Sequence, residues 1–96
     1  MRLNQSPRAS ADLINIYEYG ASNYGIEDAL AYIELIEKRF KLLLDYPHSG
    51  RAEDAVLPDL RSLPSRSHRI YYRIDNDTIV IIPILHHAAD AKRWLD

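Results

Sequence analysis

The chain has 96 residues, 47% of them hydrophobic, no cysteine, and a formal net charge of −2. That length makes one domain with one small core and a thin margin of stability. Disulfides, thiolate metal sites and a cysteine nucleophile are excluded, and the overall charge does not favour nucleic acid. No apolar run approaches the length of a membrane span and no signal peptide opens the sequence, so a cytoplasmic protein is expected.

Taken in order, Arg2 to Gln5 reads as a short first strand. Ser6-Pro7 is a helix start: a hydroxyl at the N-cap, then a proline whose missing N–H costs nothing there. The first helix carries Ala9, Leu13, Ile16, Tyr17, Gly20 and Tyr24 on one stripe, and Gly25 is the residue that ends it. The second helix follows at once, with Glu27 and Asp28 at the positive end of its dipole. Its stripe is Ala29, Tyr32, Ile33, Ile36, Phe40, Leu43 and Leu44, and Pro47 stops it near Tyr46. So short a connection makes an αα-hairpin.

Residues 47–58 read as loop, and Leu60 to Leu63 as a short strand broken at Pro64. Next come two strong strands. His68 to Ile74 alternates Ile70, Tyr72 and Ile74 with Arg69, Tyr71 and Arg73, the pattern of one buried face. A turn at Asp75-Asn76-Asp77 leads to Thr78–His86, an apolar run without alternation that predicts burial on both faces. Pro83 cannot donate to a ladder, so the strand must be unpaired, bulged or at an edge there. The order is β-α-α-β-β-β: a single α+β domain over residues 1–96. A two-helix hairpin packs on one face of a small, mostly antiparallel sheet, with a short C-terminal helix or tail.

Several residues carry possible chemistry. His86 and His87 would point to opposite faces of a strand, which argues against one shared metal ion. The plainer expectation has His86 closing the last strand with a hydrogen bond and His87 exposed. Arg61, Arg66, Arg69, Arg73 and His68 occupy a stretch with no acid, either an RNA-handling patch or, as is favoured, a solvated sheet face or the seat of a protein partner's acidic residues. Tyr17, Tyr32 and Tyr72 are expected in the core, whereas Tyr19 and Tyr71 fall off the buried stripes and are interface candidates. Trp94-Leu95 is expected to dock on the core, the alternative being a binding tail.

The ordered set of motifs resembles the ParE toxins of the RelE/ParE superfamily of bacterial toxin–antitoxin systems. In the first helix the family's S-x-R-A-x-A-D-L-x-x-I-Y is met by Ser6, Arg8, Ala9, Ala11, Asp12, Leu13, Ile16 and Tyr17, followed by Tyr19 and Tyr24-Gly25. Pro47 and Gly50 meet P-x-x-G, and Arg61 meets an arginine beyond the loop. Ser67-His68 with Tyr72-Arg73 meets S-H-x-x-x-Y-R, Ile84-Leu85-His86 meets V-L-H, and Asp90 meets the acid four residues later. Many members have arginine where this chain has Pro83 and Ala89.

The resemblance implies a cytoplasmic, non-enzymatic poison of DNA gyrase that needs no cofactor or metal. It would be held in a hetero-oligomer by a ParD-like antitoxin, which itself provides the DNA binding. Antitoxin contact is expected at Tyr19, Arg61, Arg69, Tyr71 and Arg73, and target contact at His86, His87, Lys92, Arg93 and Trp94. The two absent arginines argue against the alternative, a RelE-like ribosome-dependent mRNA endoribonuclease that could draft His68, Arg69 and Tyr71. A third reading is a non-toxic partner in assembly or operator regulation.

Overall fold

The structure, a computed structural model, describes residues 1–95. Its elements are β1 (Arg2–Gln5), α1 (Pro7–Tyr24), α2 (Ile26–Asp45), β2 (Arg51–Ala52), β3 (Arg61–Ser65), β4 (His68–Asp75), β5 (Thr78–His86) and α3 (Ala91–Leu95). The sheet order is β1-β5-β4-β3-β2, with β1 parallel to β5 and every other pair antiparallel. The α+β hairpin-on-sheet architecture is the expected one, and the C-terminal segment is a helix.

Local chemistry accounts for the helices. Ser6 caps α1 by accepting the Ala9 N–H at 3.0 Å, while its own hydroxyl donates to the Ile82 carbonyl at 2.6 Å. One side chain therefore both starts the helix and ties it to the sheet. Gly25, at φ 97°, ends α1 and caps α2, a backbone conformation that side chains resist. The hairpin closes tightly because Gly20 lies against Ala29. Ala9, Ile36, Phe40 and Leu43 bury themselves on Leu63, Ile70, Tyr72, Ile79, Ile81 and Ile84. Tyr24, expected on the buried stripe, is instead exposed at the helix turn.

Three strand expectations change. β2 lies inside the stretch read as loop; two residues carry no periodicity to detect. β3 runs on through Pro64 to Ser65, and the turn falls at Arg66 (φ 48°) and Ser67. Proline is tolerated because β2 reaches only Ser62, which leaves β3 an edge strand beyond it. The third change concerns the rear of the sheet, expected to be solvated. Residues 53–60 and α3 cover it, and Leu60, Tyr71, Leu85 and Ala91 form a second core with Val56, Leu57, Ile82 and Leu95. Tyr71 is thus buried, not the exposed interface residue its alternation suggested.

Pro83 sits in a β-bulge. Ile70 faces Ile84 and Tyr72 faces Ile81, so β5 spends one residue more than β4 between these pairs. The extra residue reverses the alternation. Ile79 and Ile81 face the helices before the bulge, and Ile84 does so after it. Leu85 turns to the rear core. The apolar run therefore lacks period two because its phase changes within it.

Candidate functional site

A groove of about 940 Å³ opens between the helix hairpin and the exposed end of the sheet. Its floor on α1 is Ile16, Tyr19 and Gly20; Tyr24 and Asp28 stand at the helix turn. At the sheet end Tyr32 meets Arg66, His68 and His86. His68 and His86 come together because they are register partners across β4 and β5, and they share the helix-facing side only because of the bulge.

The Tyr32 hydroxyl lies 2.6 Å from both the Ser65 carbonyl and His68 Nδ1. A phenol has one proton, and the carbonyl can only accept. Both contacts are hydrogen bonds if Tyr32 donates to Ser65 and His68 Nδ1–H donates to Tyr32. This assigns the Nδ1–H tautomer to His68 and leaves Nε2 as an acceptor. His68 stands edge-on to His86 at 5.8 Å between centroids, and His86 is stacked on His87 at 4.4 Å. The guanidinium of Arg66 lies 5.9 Å from the Tyr32 ring centre. Burial pushes the Tyr32 hydroxyl above its ordinary value, so the phenol stays protonated. Burial first, then the positive potential of His86 and His87, holds His68 below its ordinary value, with Asp12 opposing.

That depression has a thermodynamic consequence. Unfolded His68 takes a proton near 6.5, and folded His68 only at lower pH. The contribution to stability is complete above that value and is lost as pH falls from it toward the folded one. Urea midpoints will therefore drop on acidification through this window, and His68→Gln will flatten that part of the curve. An unchanged slope in the variant would remove His68 as its cause. Glu53 acts separately and lower. Burial alone would raise its carboxyl, but hydrogen bonds from Ser62 and Arg51 and the charges of Arg51 and Arg69 hold it below 4.5.

The arginines expected to form one patch are dispersed. Arg61 donates to the Gly50 carbonyl at 2.8 Å and so pins the loop before β2. Arg69, half-buried on the rear face, donates to Ser62 Oγ at 2.8 Å, and Glu53 lies beside both. Both are bound into the fold. Arg73 is exposed on the rear strand face and Arg66 at the groove mouth. Of the expected antitoxin contacts, only Tyr19 lines the groove.

The expected target contacts fall into two places. His86 and His87 are exposed at the end of β5, and their rings stack because the strand ends at His86, so the opposite-face reading does not hold. His86 accepts the Ala88 N–H at 3.2 Å. Lys92, Arg93 and Trp94 are exposed on α3, which Asp90 starts by accepting the Lys92 N–H at 3.2 Å. Leu95 packs on the rear core, whereas Trp94, expected to dock, is 54% exposed with the Arg8 guanidinium 4.9 Å above its ring. Among the described residues no three His, Asp or Glu side chains are grouped to hold a metal ion.

Sequence reasoning missed the exposed apolar residues Ile14, Ile26 and Leu30 on the helix hairpin. A signal was available: each falls off its helix's buried stripe.

A family model described as ParE toxin of type II toxin-antitoxin system, parDE, matches residues 3–91. Toxin ParE1 of Mycobacterium tuberculosis is 31% identical to this chain, over 94% of it and 93% of the relative. Toxin ParE1 of Caulobacter vibrioides is 29% identical over the same shares of the two chains. The solved chromosomal ParDE TA system from P. aeruginosa contains a chain that superposes with a TM-score of 0.79 at 26% identity, covering 90% of this chain and 95% of that one. A YoeB/ParE toxin from Agrobacterium tumefaciens shares the fold, with a TM-score of 0.63 at 18% identity over 91% and 99%.

Proposed function

This chain belongs to the ParE toxin family of type II toxin–antitoxin systems, and from that membership we propose that it poisons DNA gyrase by binding it, without catalysis, in the cytoplasm. A ParD-like antitoxin neutralises it in a hetero-oligomer, in keeping with the ParDE assembly named for its structural neighbour. No described helix is long and apolar enough to cross a membrane.

The observation that carries the non-catalytic reading is the bonding of the groups a nuclease would need. A ribonuclease must activate the 2′-hydroxyl and protonate the leaving oxygen. Here the Tyr32 hydroxyl is held by Ser65 and His68, Arg61 and Arg69 hold the backbone and Ser62, and Tyr71 is buried, so that of these groups only His68 Nε2 stays open. Pro83 forms the bulge where many relatives of the superfamily carry arginine. One observation favours the ribosome-dependent endoribonuclease instead: three imidazoles and Arg66 do meet at the groove mouth.

The deciding experiment is a gyrase supercoiling assay with the antitoxin-free chain, ATP and relaxed plasmid. Loss of supercoiling with accumulated cleaved DNA is expected, and the antitoxin should reverse it. A chain truncated before Trp94 tests whether exposed α3 carries target contact, while His86→Ala and His87→Ala test the other half of the expected surface. Full gyrase activity with a folded, cell-toxic chain, together with cutting of ribosome-bound message that is lost in His68→Ala, would establish the nuclease reading instead.

A further inference from the structure

Where β4 begins and β5 ends, two imidazoles stand as ligands of one ion would. His68 and His86 are register partners on antiparallel strands. Their ring centres are 5.8 Å apart and the rings lie at 81°. An ion held about 2.0–2.1 Å from an imidazole nitrogen lies about 3.2 Å from the ring centre, so two rings on one ion at tetrahedral or wider angles have centres about 5–6 Å apart. His87 is placed differently. Its ring stacks on His86 at 4.4 Å and 31°, faces together rather than nitrogen edges, so it backs His86 and does not share the ion.

His68 is also set from behind. Its Nδ1–H donates to the Tyr32 hydroxyl at 2.6 Å, and Tyr32 donates to the Ser65 carbonyl at 2.6 Å. A relay of this kind fixes the tautomer and the ring direction and raises the basicity of the other nitrogen, here Nε2, as it does behind metal-bound histidines. His86 has one competing bond, Nδ1 accepting the Ala88 N–H at 3.2 Å. Coordination through Nε2 moves the ring proton to Nδ1 and gives up that bond; coordination through Nδ1 displaces it. Either way one long hydrogen bond is exchanged for a metal–nitrogen bond. His86 is exposed at the groove mouth, so an ion can enter.

We propose that His68 and His86 form a two-imidazole site for a late first-row transition-metal dication, Cu²⁺ ahead of Zn²⁺, with solvent in the remaining positions. The donor set selects that class. No carboxylate among the described residues lines this end of the groove, and Asp12 is engaged with Ile84 and Arg8. Hard ions such as Mg²⁺ and Ca²⁺, which need oxygen ligands, have nothing to hold them. Arg66 at the mouth repels any dication, which disfavours ions bound by charge alone more than ions bound by nitrogen lone pairs. Neither the gyrase nor the antitoxin reading bears on this site.

The test is calorimetric titration of CuCl₂, ZnCl₂ and MgCl₂ into the full-length chain freed of any purification tag. One equivalent of Cu²⁺ should bind, Zn²⁺ more weakly and Mg²⁺ not at all. His86→Gln changes an exposed side chain and should weaken Cu²⁺ binding roughly tenfold or more, as should His68→Gln. Tyr32→Phe keeps the ring and removes the acceptor behind His68; it should weaken binding roughly tenfold while the two-nitrogen Cu²⁺ EPR pattern persists. His87→Gln, and His48→Gln outside the groove, should leave affinity unchanged. Absence of Cu²⁺ binding would overturn the proposal, and so would unchanged affinity in His86→Gln, which would show an adventitious ion only. A loss in His87→Gln equal to that in His86→Gln would overturn the cross-strand pairing, and a loss confined to His48→Gln would place the ion elsewhere.

Discussion

Gly50→Ala will destabilise the chain by about 3 kcal/mol, the result of overpacking plus disrupted hydrogen bonds. A Cβ at this position would lie 2.6 Å from Tyr72 Oη, 2.7 Å from Cε1 and 2.8 Å from the Ser62 carbonyl oxygen. None of these can give way cheaply. Tyr72 is fully buried in the main core, and its hydroxyl both accepts the Gly50 N–H at 2.9 Å and donates to the Pro47 carbonyl at 2.8 Å. Ser62 is held in β3 between two strands. Gly50 is not in the left-handed region, so the effect is steric and not a matter of backbone preference. Indeed alanine by itself would constrain the unfolded chain and stabilise slightly.

For a domain of this size such a loss lowers Tm by roughly 12–24 °C, and thermal denaturation followed by circular dichroism measures it. Tyr72→Phe should cost less, about 1–2 kcal/mol, because it removes the hydrogen bonds and keeps the ring. In that background Gly50→Ala should cost less than it does alone, since one of its close contacts is gone. A Gly50→Ala chain with wild-type Tm would mean that the loop yields, and that Tyr72 does not fix it.

Asp12→Ala should cost about 2–3 kcal/mol, as expected when a buried N–H loses a charged acceptor. β1 ends at Gln5, opposite Ile81, so no strand continues alongside β5 beyond that point. Asp12 takes its place: one carboxylate oxygen accepts the Ile84 N–H at 2.9 Å and the other accepts from Arg8 Nε at 3.1 Å. Asp12→Asn keeps a carbonyl acceptor and should lose about half as much. Hydrogen exchange is the informative readout. The Ile84 amide should lose protection in Asp12→Ala, well beyond amides of β4. Equal loss across the sheet would indicate ordinary global destabilisation instead. Trp94 fluorescence should change as well, because Asp12 positions the Arg8 guanidinium over that ring.

Much of this was legible in the sequence because the signals are local. The Ser6 cap, the hairpin break at Gly25, the stripe from Ala29 to Leu44 and the turn at Asn76 depend on residues a few positions apart. Pro83 announced a break in its ladder because proline lacks the donor. The family could be recognised for a related reason: its motifs mark places where backbone and side chain meet, such as Asp12 on Ile84 and Gly50 on Tyr72.

The candidate site was less legible. Arg61, Arg66, Arg69 and Arg73 look like one patch in sequence, but hydrogen bonds to Gly50 and Ser62 draw two of them into the fold. Tyr71 looked exposed because alternation reports two faces without saying whether a second layer covers the outer one. Residues 53–60 and α3 supply that layer.

The sequence alone thus determined every element but the two-residue β2, the order of the rest and the family, since each rests on short-range periodicity, capping and motif chemistry. Only the tertiary structure decided which way those elements face. The bulge at Pro83 shifts the alternation of β5 by one residue, and side-chain direction in a strand has period two, so that shift brings His86 beside His68 and turns Leu85 to the rear core.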